Sequence, residues 1–98
     1  MIGEIAVVPQ AEGPARELIA KLLAEIADQG LRFEVGALGT CVEGELDAIL
    51  DGVRAIESRL RAEGVQRAVI ELRLQLEPHP ETLEHQVEGI PLARGGTP

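Results

Sequence analysis

Leu31-Arg32-Phe33-Glu34-Val35-Gly36-Ala37-Leu38-Gly39-Thr40-Cys41-Val42-Glu43-Gly44-Glu45 is the stretch on which the fold turns. Leu31, Phe33 and Val35 alternate with Arg32 and Glu34, the period-two signature of a half-buried strand. Gly36 to Gly39 supply a turn into a partner strand over Thr40 to Glu43, so the stretch predicts a hairpin. A helix follows from about Glu45 to Glu63: Leu46, Ile49, Leu50, Val53, Ile56 and Leu60 form one apolar stripe, and Gly64 marks its end.

Reading outward, the segment before the hairpin repeats this logic. Ile2 to Val8 is a short apolar run that Pro9 is expected to stop, as for a buried strand. After the loop Gln10-Ala11-Glu12-Gly13, Pro14 suits a first helical position, Ala15, Leu18, Ile19, Leu22, Leu23 and Ile26 recur at helical spacing, and Gly30 stops the run. Beyond the second helix, Ala68, Ile70, Leu72, Leu74 and Leu76 alternate with Val69, Glu71, Arg73 and Gln75, a last strand closed by Pro78 and Pro80. Thr82 to Glu88 could add a short helix, and the Gly- and Pro-rich end reads as a mobile tail. The order strand, helix, strand, strand, helix, strand predicts an α+β fold, the ferredoxin-like βαββαβ sandwich, with two helices on one face of a four-stranded antiparallel sheet whose first and third strands are central. One domain over residues 1–90 and a flexible tail over 91–98 complete the expectation.

Composition narrows the function classes. The chain has 98 residues, 45% hydrophobic and 27% charged, with a net charge of −8. Such an acidic surface repels phosphate backbones and anionic lipid, which argues against nucleic-acid and membrane partners. A lone Cys41 cannot form an intrachain disulfide, no export signal is visible and no apolar run has spanning length, so a cytoplasmic protein is expected. A domain of this size buries a modest core, roughly 60 to 68% of its unfolded surface, and oligomerisation is a natural way to bury more.

The segment Gly39 to Glu45 is the candidate ligand site, because it places a hydroxyl, two carboxylates and two glycines where a strand turns into a helix. Its plain alternative is a helix entry, with Glu45 opposing the macrodipole. By parity, the helix-free face of the sheet would show Glu4, Ala6 and Val8, then Arg32 and Glu34, then Glu71, Arg73 and Gln75. The third strand stays unassigned, since Gly44 could seat a bulge. That face could be a plain solvated surface or a subunit interface. Covered by a second copy, its carboxylates would need neutralising, and Arg73 or an organic cation could serve. At about 4 Å and an effective dielectric near 20, the attraction is on the order of 4 kcal/mol before desolvation.

Val7-Val8-Pro9, Gly30-Leu31-Arg32-Phe33-Glu34, Gly39-Thr40-Cys41-Val42-Glu43-Gly44-Glu45, Glu63-Gly64-Val65-Gln66-Arg67 and Thr82-Leu83-Glu84-His85-Gln86-Val87 together resemble the small thiamine-binding protein family over nearly the whole chain. The resemblance implies a ferredoxin-like subunit that assembles into dimers or tetramers through sheet contacts, binds thiamine or its hydroxymethylpyrimidine part, and carries out no catalysis. It implies Thr40 and Glu43 as polar ligand contacts, Gly39 and Gly44 as positions of close approach, and Glu45 as a further candidate; Val8 could sandwich a ring and Arg73 could balance charge. Thiamine would be a bound ligand rather than a cofactor. Its amino group needs an acceptor, its ring nitrogen a partner, and its thiazolium is a permanent cation. The chain departs from the pattern in having no serine after the first strand, where Gln10-Ala11-Glu12-Gly13-Pro14-Ala15 stands, and in having Phe33 as its one aromatic residue.

Other constellations read as structural. His79 and His85 lack the spacing of a helical metal pair, Cys41 has no histidine in a comparable element, and Glu81, Glu84 and Glu88 read as a solvated helix face. An acylphosphatase-like enzyme would want an anion-cradling loop and an asparagine, an RNA-recognition domain aromatics and a basic surface, and a metallochaperone a Cys-x-x-Cys pair; none is present. The surviving rival to vitamin binding is a structural or regulatory oligomer that binds another metabolite or none.

Overall fold

Two helices cover one face of a four-stranded antiparallel sheet in the computed structural model of the chain, which describes residues 1–10 and 15–77. The elements are β1 (Ile2–Gln10), α1 (Arg16–Asp28), β2 (Arg32–Val35), β3 (Thr40–Glu43), α2 (Leu46–Ala62) and β4 (Arg67–Gln75). The sheet runs β2-β3-β1-β4, which makes the first and third strands central, as the sequence predicts. The predicted short helix over 82–88, the histidines at 79 and 85, Pro14 and the tail lie outside the described residues.

Each helix ends where a glycine takes a conformation other residues avoid: Gly30 has φ 74° and Gly64 φ 79°. The apolar stripes of both helices then meet the sheet. Val42, Ile49 and Ile56 are fully enclosed, and Ile5, Leu22, Ile26, Leu31 and Leu60 complete the buried cluster. A side chain of this kind contributes about 1.5–3 kcal/mol on leaving water. The outer seam between the helices is ionic: Lys21 pairs with Glu63, while Arg59 donates to Glu25 at 3.0 Å and stands 3.8 Å from Glu63. Chiefly through the Lys21 hydrogen bond, opposed by burial and aided by the charges of Lys21 and Arg59, the Glu63 carboxyl titrates below the usual glutamate range. Its pairing therefore adds stability above the ordinary carboxylate pKa and loses it as the pH falls through the lowered one.

Two details differ from expectation. Pro9 does not end β1; it pairs with Ala68, and the strand continues to Gln10. Among the described residues only β4 flanks β1 beyond Ile5, because β3 pairs with Ile2 to Ile5, and a residue without an N–H is tolerated where a strand's N–H makes no ladder bond. Nor does Gly44 seat a bulge. The β1–β3 register runs without interruption from Ile2↔Glu43 to Ile5↔Thr40, and Gly44 lies just past the strand.

Candidate functional site

Unbroken pairing fixes which way each residue of β3 faces. Directly opposed residues share a face of the sheet, so Thr40, opposite Ile5 and Val35, lies on the helix side with the core. Cys41, opposite Glu4 and Glu34, and Glu43, opposite Ile2 and Arg32, lie on the open side. Within one copy, Thr40 and Glu43 therefore face opposite sides of the sheet, whereas the sequence reading set them side by side. The physical reason is the period-two alternation, which sends positions three apart to opposite faces of a regular strand.

The remaining candidates separate further. Gly44 permits close approach of Leu31 rather than of a ligand: a Cβ there would sit 2.4 Å from Leu31 Cδ2. Glu45 occupies the N-cap of α2, is exposed, and makes no side-chain capping bond, so it marks the helix entry. Val8 is 63% exposed and pairs with Val69 toward the end of β1 remote from Glu43, so it is not available to a site built around that carboxylate. Arg73, the neighbour of Glu4 across the β1–β4 pairing, approaches that carboxylate at 4.0 Å, the partnership expected of it.

Two hollows of the described surface lie near β3. On the helix side, the end of the hairpin and α1 enclose a cleft of about 170 Å³, lined by Ile5, Val7, Ile19, Leu22, Leu23, Ile26, Val35, Gly36, Ala37, Leu38, Gly39, Thr40 and Ile56. Among these described residues, Thr40 carries the one polar side chain, and none is charged or aromatic. Ile19, Val35 and Leu38 keep much of their apolar surface in water at this place, Leu38 at 90% exposure. Sequence periodicity assigns Ile19 to the core stripe and Leu38 to a turn. That they rim a cleft depends on how α1 and the hairpin diverge, which no local pattern records.

The open side presents a shallower notch of about 270 Å³ lined by Ile2, Gly3, Glu4, Cys41, Arg73, Leu74 and Gln75. Charge here is organised in rungs. One runs Glu34, Cys41, Glu4, Arg73 across the four strands, and the next runs Arg32, Glu43, Ile2, Gln75. Arg32 Nη1 donates to Glu43 Oε1 at 3.5 Å, and the Glu43 side chain is already only 17% exposed in the single chain. Burial, then the negative charges of Glu4 and Glu34, push the Cys41 thiol above its ordinary value. The carboxylates of Glu4 and Glu34 make the surroundings of the Cys41 sulfur negative, while the notch lining balances Glu4 against Arg73; the cleft is apolar and carries no charged side chain in its described lining.

Comparison with known proteins accords with this architecture. A profile described as thiamine-binding protein matches residues 3–90, and the chain belongs to that family. The UPF0045 protein of Clostridium perfringens is 27% identical over 71 residues, 72% of this chain and 75% of the relative. Among solved structures, a protein of Thermotoga maritima assigned provisionally to thiamine biosynthesis or salvage superposes with a TM-score of 0.77 at 31% identity, over 88% of this chain and 92% of the other. A hypothetical protein of Methanocaldococcus jannascii gives 0.78 at 26% identity, over 91% and 93%.

Proposed function

We propose, with membership of the thiamine-binding protein family as the premise, that this chain binds thiamine or its hydroxymethylpyrimidine part non-catalytically, holding the pyrimidine ring in the cleft between α1 and the β2–β3 hairpin. One observation carries the reading: an uncharged apolar cleft whose described lining offers a single polar side chain, the Thr40 hydroxyl. A hydroxyl both donates and accepts, which suits the adjacent amino group and ring nitrogen of an aminopyrimidine. Aliphatic side chains of α1 and β1 would flank the ring in place of an aromatic.

Size and charge favour the neutral half of the vitamin. A volume of about 170 Å³ falls below the roughly 300–1,000 Å³ that enclose a drug-sized ligand, so one ring is held and the rest of the molecule stays at the mouth. With no carboxylate in the described lining, a permanently charged thiazolium would lose its hydration without compensation inside the cleft. The Glu43 site expected from the sequence is the second reading, and the negative potential around Cys41 favours it for a cation. Calorimetry separates the two. Thr40→Val weakening hydroxymethylpyrimidine binding roughly tenfold or more, with Glu43→Gln and Glu4→Gln neutral, supports the cleft; the reverse pattern supports the open face. No heat with thiamine, hydroxymethylpyrimidine or the thiazole would leave a structural or regulatory oligomer. Assembly of copies into a dimer or tetramer over the open face belongs to the same proposal, and sedimentation of a clean monomer at high concentration would contradict it.

A further inference from the structure

β4 stands at the margin of the sheet and pairs with β1 along its whole length, from Arg67 to Gln75. Among the described residues nothing pairs with its outer edge. An outer strand presents a row of unpaired N–H and C=O groups, which proteins commonly guard with proline, a bulge or charge. β4 contains no proline, and its register with β1 is continuous, without a bulge. All of its residues except Ile70 and Leu72 are exposed. Leu74, on the helix side opposite Gly3, keeps 43% of its surface in water, and Leu76, just past the strand, keeps 88%. Apolar side chains left exposed along an open edge are characteristic of a contact surface.

The charges on the strand identify the occupant. Opposed residues share a face, so pairing with β1 puts Ala68, Ile70, Leu72 and Leu74 on the helix side and Val69, Glu71, Arg73 and Gln75 on the open side. A second copy of this edge, laid antiparallel about a two-fold axis normal to the sheet, keeps helix side beside helix side when the axis passes a residue and its own mate. Three such registers overlap most of the strand. Centred on Glu71, the pairing sets two glutamates against each other. Centred on Ile70, it sets Arg73 against Arg67 of the other copy, again like against like. Centred on Leu72, it sets Glu71 against Arg73 of the other copy twice over, with Ile70 against Leu74 on the helix side and Leu72 against its own mate. Directly opposed charges stabilise a strand pair when they differ in sign and destabilise it when they match, so one register of the three is self-complementary on both faces.

We infer that the outer edge of β4 is an interface between two copies of this chain, paired antiparallel about Leu72, through which the two sheets run on as one with the helices of both copies on the same side. This contact differs from packing over the open face. It uses backbone groups in the plane of the sheet, leaves the open faces of both copies uncovered, and does not depend on what either copy binds.

The test is thiol cross-linking in a Cys41→Ser background with oxidised glutathione as the oxidant. Opposed residues of an antiparallel pair have Cβ atoms about 4.5–5.5 Å apart, close enough for the backbone shifts a disulfide requires, whereas an offset of four residues along a strand is roughly 13 Å. Leu72→Cys should therefore give a covalent dimer. Ile70→Cys and Leu74→Cys should stay uncross-linked when oxidised singly and should give a mixed dimer when oxidised together. A folded Leu72→Cys chain that forms no dimer, a dimer from Ile70→Cys or Leu74→Cys alone, or no mixed product would overturn the pairing. Should Leu72→Cys fail to fold, the mixed pair decides by itself. All three positions lie on the helix side, so packing of open faces cannot produce these products. Leu74→Lys, which places a charge at an exposed position of the edge, should halve the sedimenting mass of the protein, and an unchanged mass would count equally against the interface.

Discussion

The two sides of the sheet are built from the same four strands and have opposite characters. On the helix side, Ile5, Val42 and the buried residues of α1 and α2 exclude water, and Thr40 is the isolated hydroxyl at the margin of that core. On the open side, one residue along in each strand, Glu4, Glu34 and Glu43 alternate with Arg32 and Arg73 around a single thiol. The lesson concerns what a binding residue can do. A carboxylate on the open side acts on charge through partly exposed surroundings, while a hydroxyl on the helix side acts through shape and a desolvated hydrogen bond, which is the stronger basis for choosing one neutral ring over another.

The contrast is broken most severely by damaging one side alone. Ile49→Ala empties a fully enclosed position and is expected to cost about 2–5 kcal/mol, whereas Glu71→Ala on the open side should stay within about 0.5 kcal/mol. Urea unfolding of both variants measures the difference, and comparable losses would mean that the open side is as tightly packed as the core. Gly44→Ala comes next. Its new methyl would drive into Leu31, and overpacking of this kind costs about 1–3 kcal/mol. Adding Leu31→Ala in the same chain should return part of that loss relative to Leu31→Ala alone. No such coupling in a double-mutant cycle would place the strain elsewhere.

Smaller effects sharpen the comparison at the level of binding. Thr40→Val should leave the melting temperature nearly unchanged and weaken hydroxymethylpyrimidine binding by about 1–3 kcal/mol, roughly tenfold or more, because the amino group or ring nitrogen then goes unpaired. Glu43→Gln should leave that affinity within twofold by the same calorimetry. Last and smallest is the thiol. Alkylation of Cys41 should show a midpoint above the ordinary thiol value of 9.0, and Glu4→Gln should lower it by removing one of the negative charges that disfavour the thiolate. An unchanged midpoint would mean that burial alone sets the thiol's behaviour.

Much of this architecture could be read from residue order. The alternation through Leu31 to Val35, the turn at Gly36 to Gly39 and the glycine stops at Gly30 and Gly64 are local signals, and each element they predict is present. Phe33 takes the core side by the same parity, opposite Val42. The site was legible only in part. Thr40 was visible as a candidate, and an odd spacing from Glu43 already separates the two across a regular strand; the suspected bulge at Gly44 concealed that arithmetic. The role of Gly44 itself was hidden because Leu31, the side chain that needs the space, lies across the hairpin. Ile19 and Leu38 gave no signal either, since an apolar residue that rims a cleft has the same local pattern as one that fills a core.

The alternation in β3 has a consequence for how such a protein can diverge. Thr40 and Cys41 are adjacent in the chain, yet each meets a different environment, so a mutation at one is shielded from the other by the thickness of the backbone. Substitutions on one face of the strand can therefore change the neighbours met there while leaving the opposite face with the same partners.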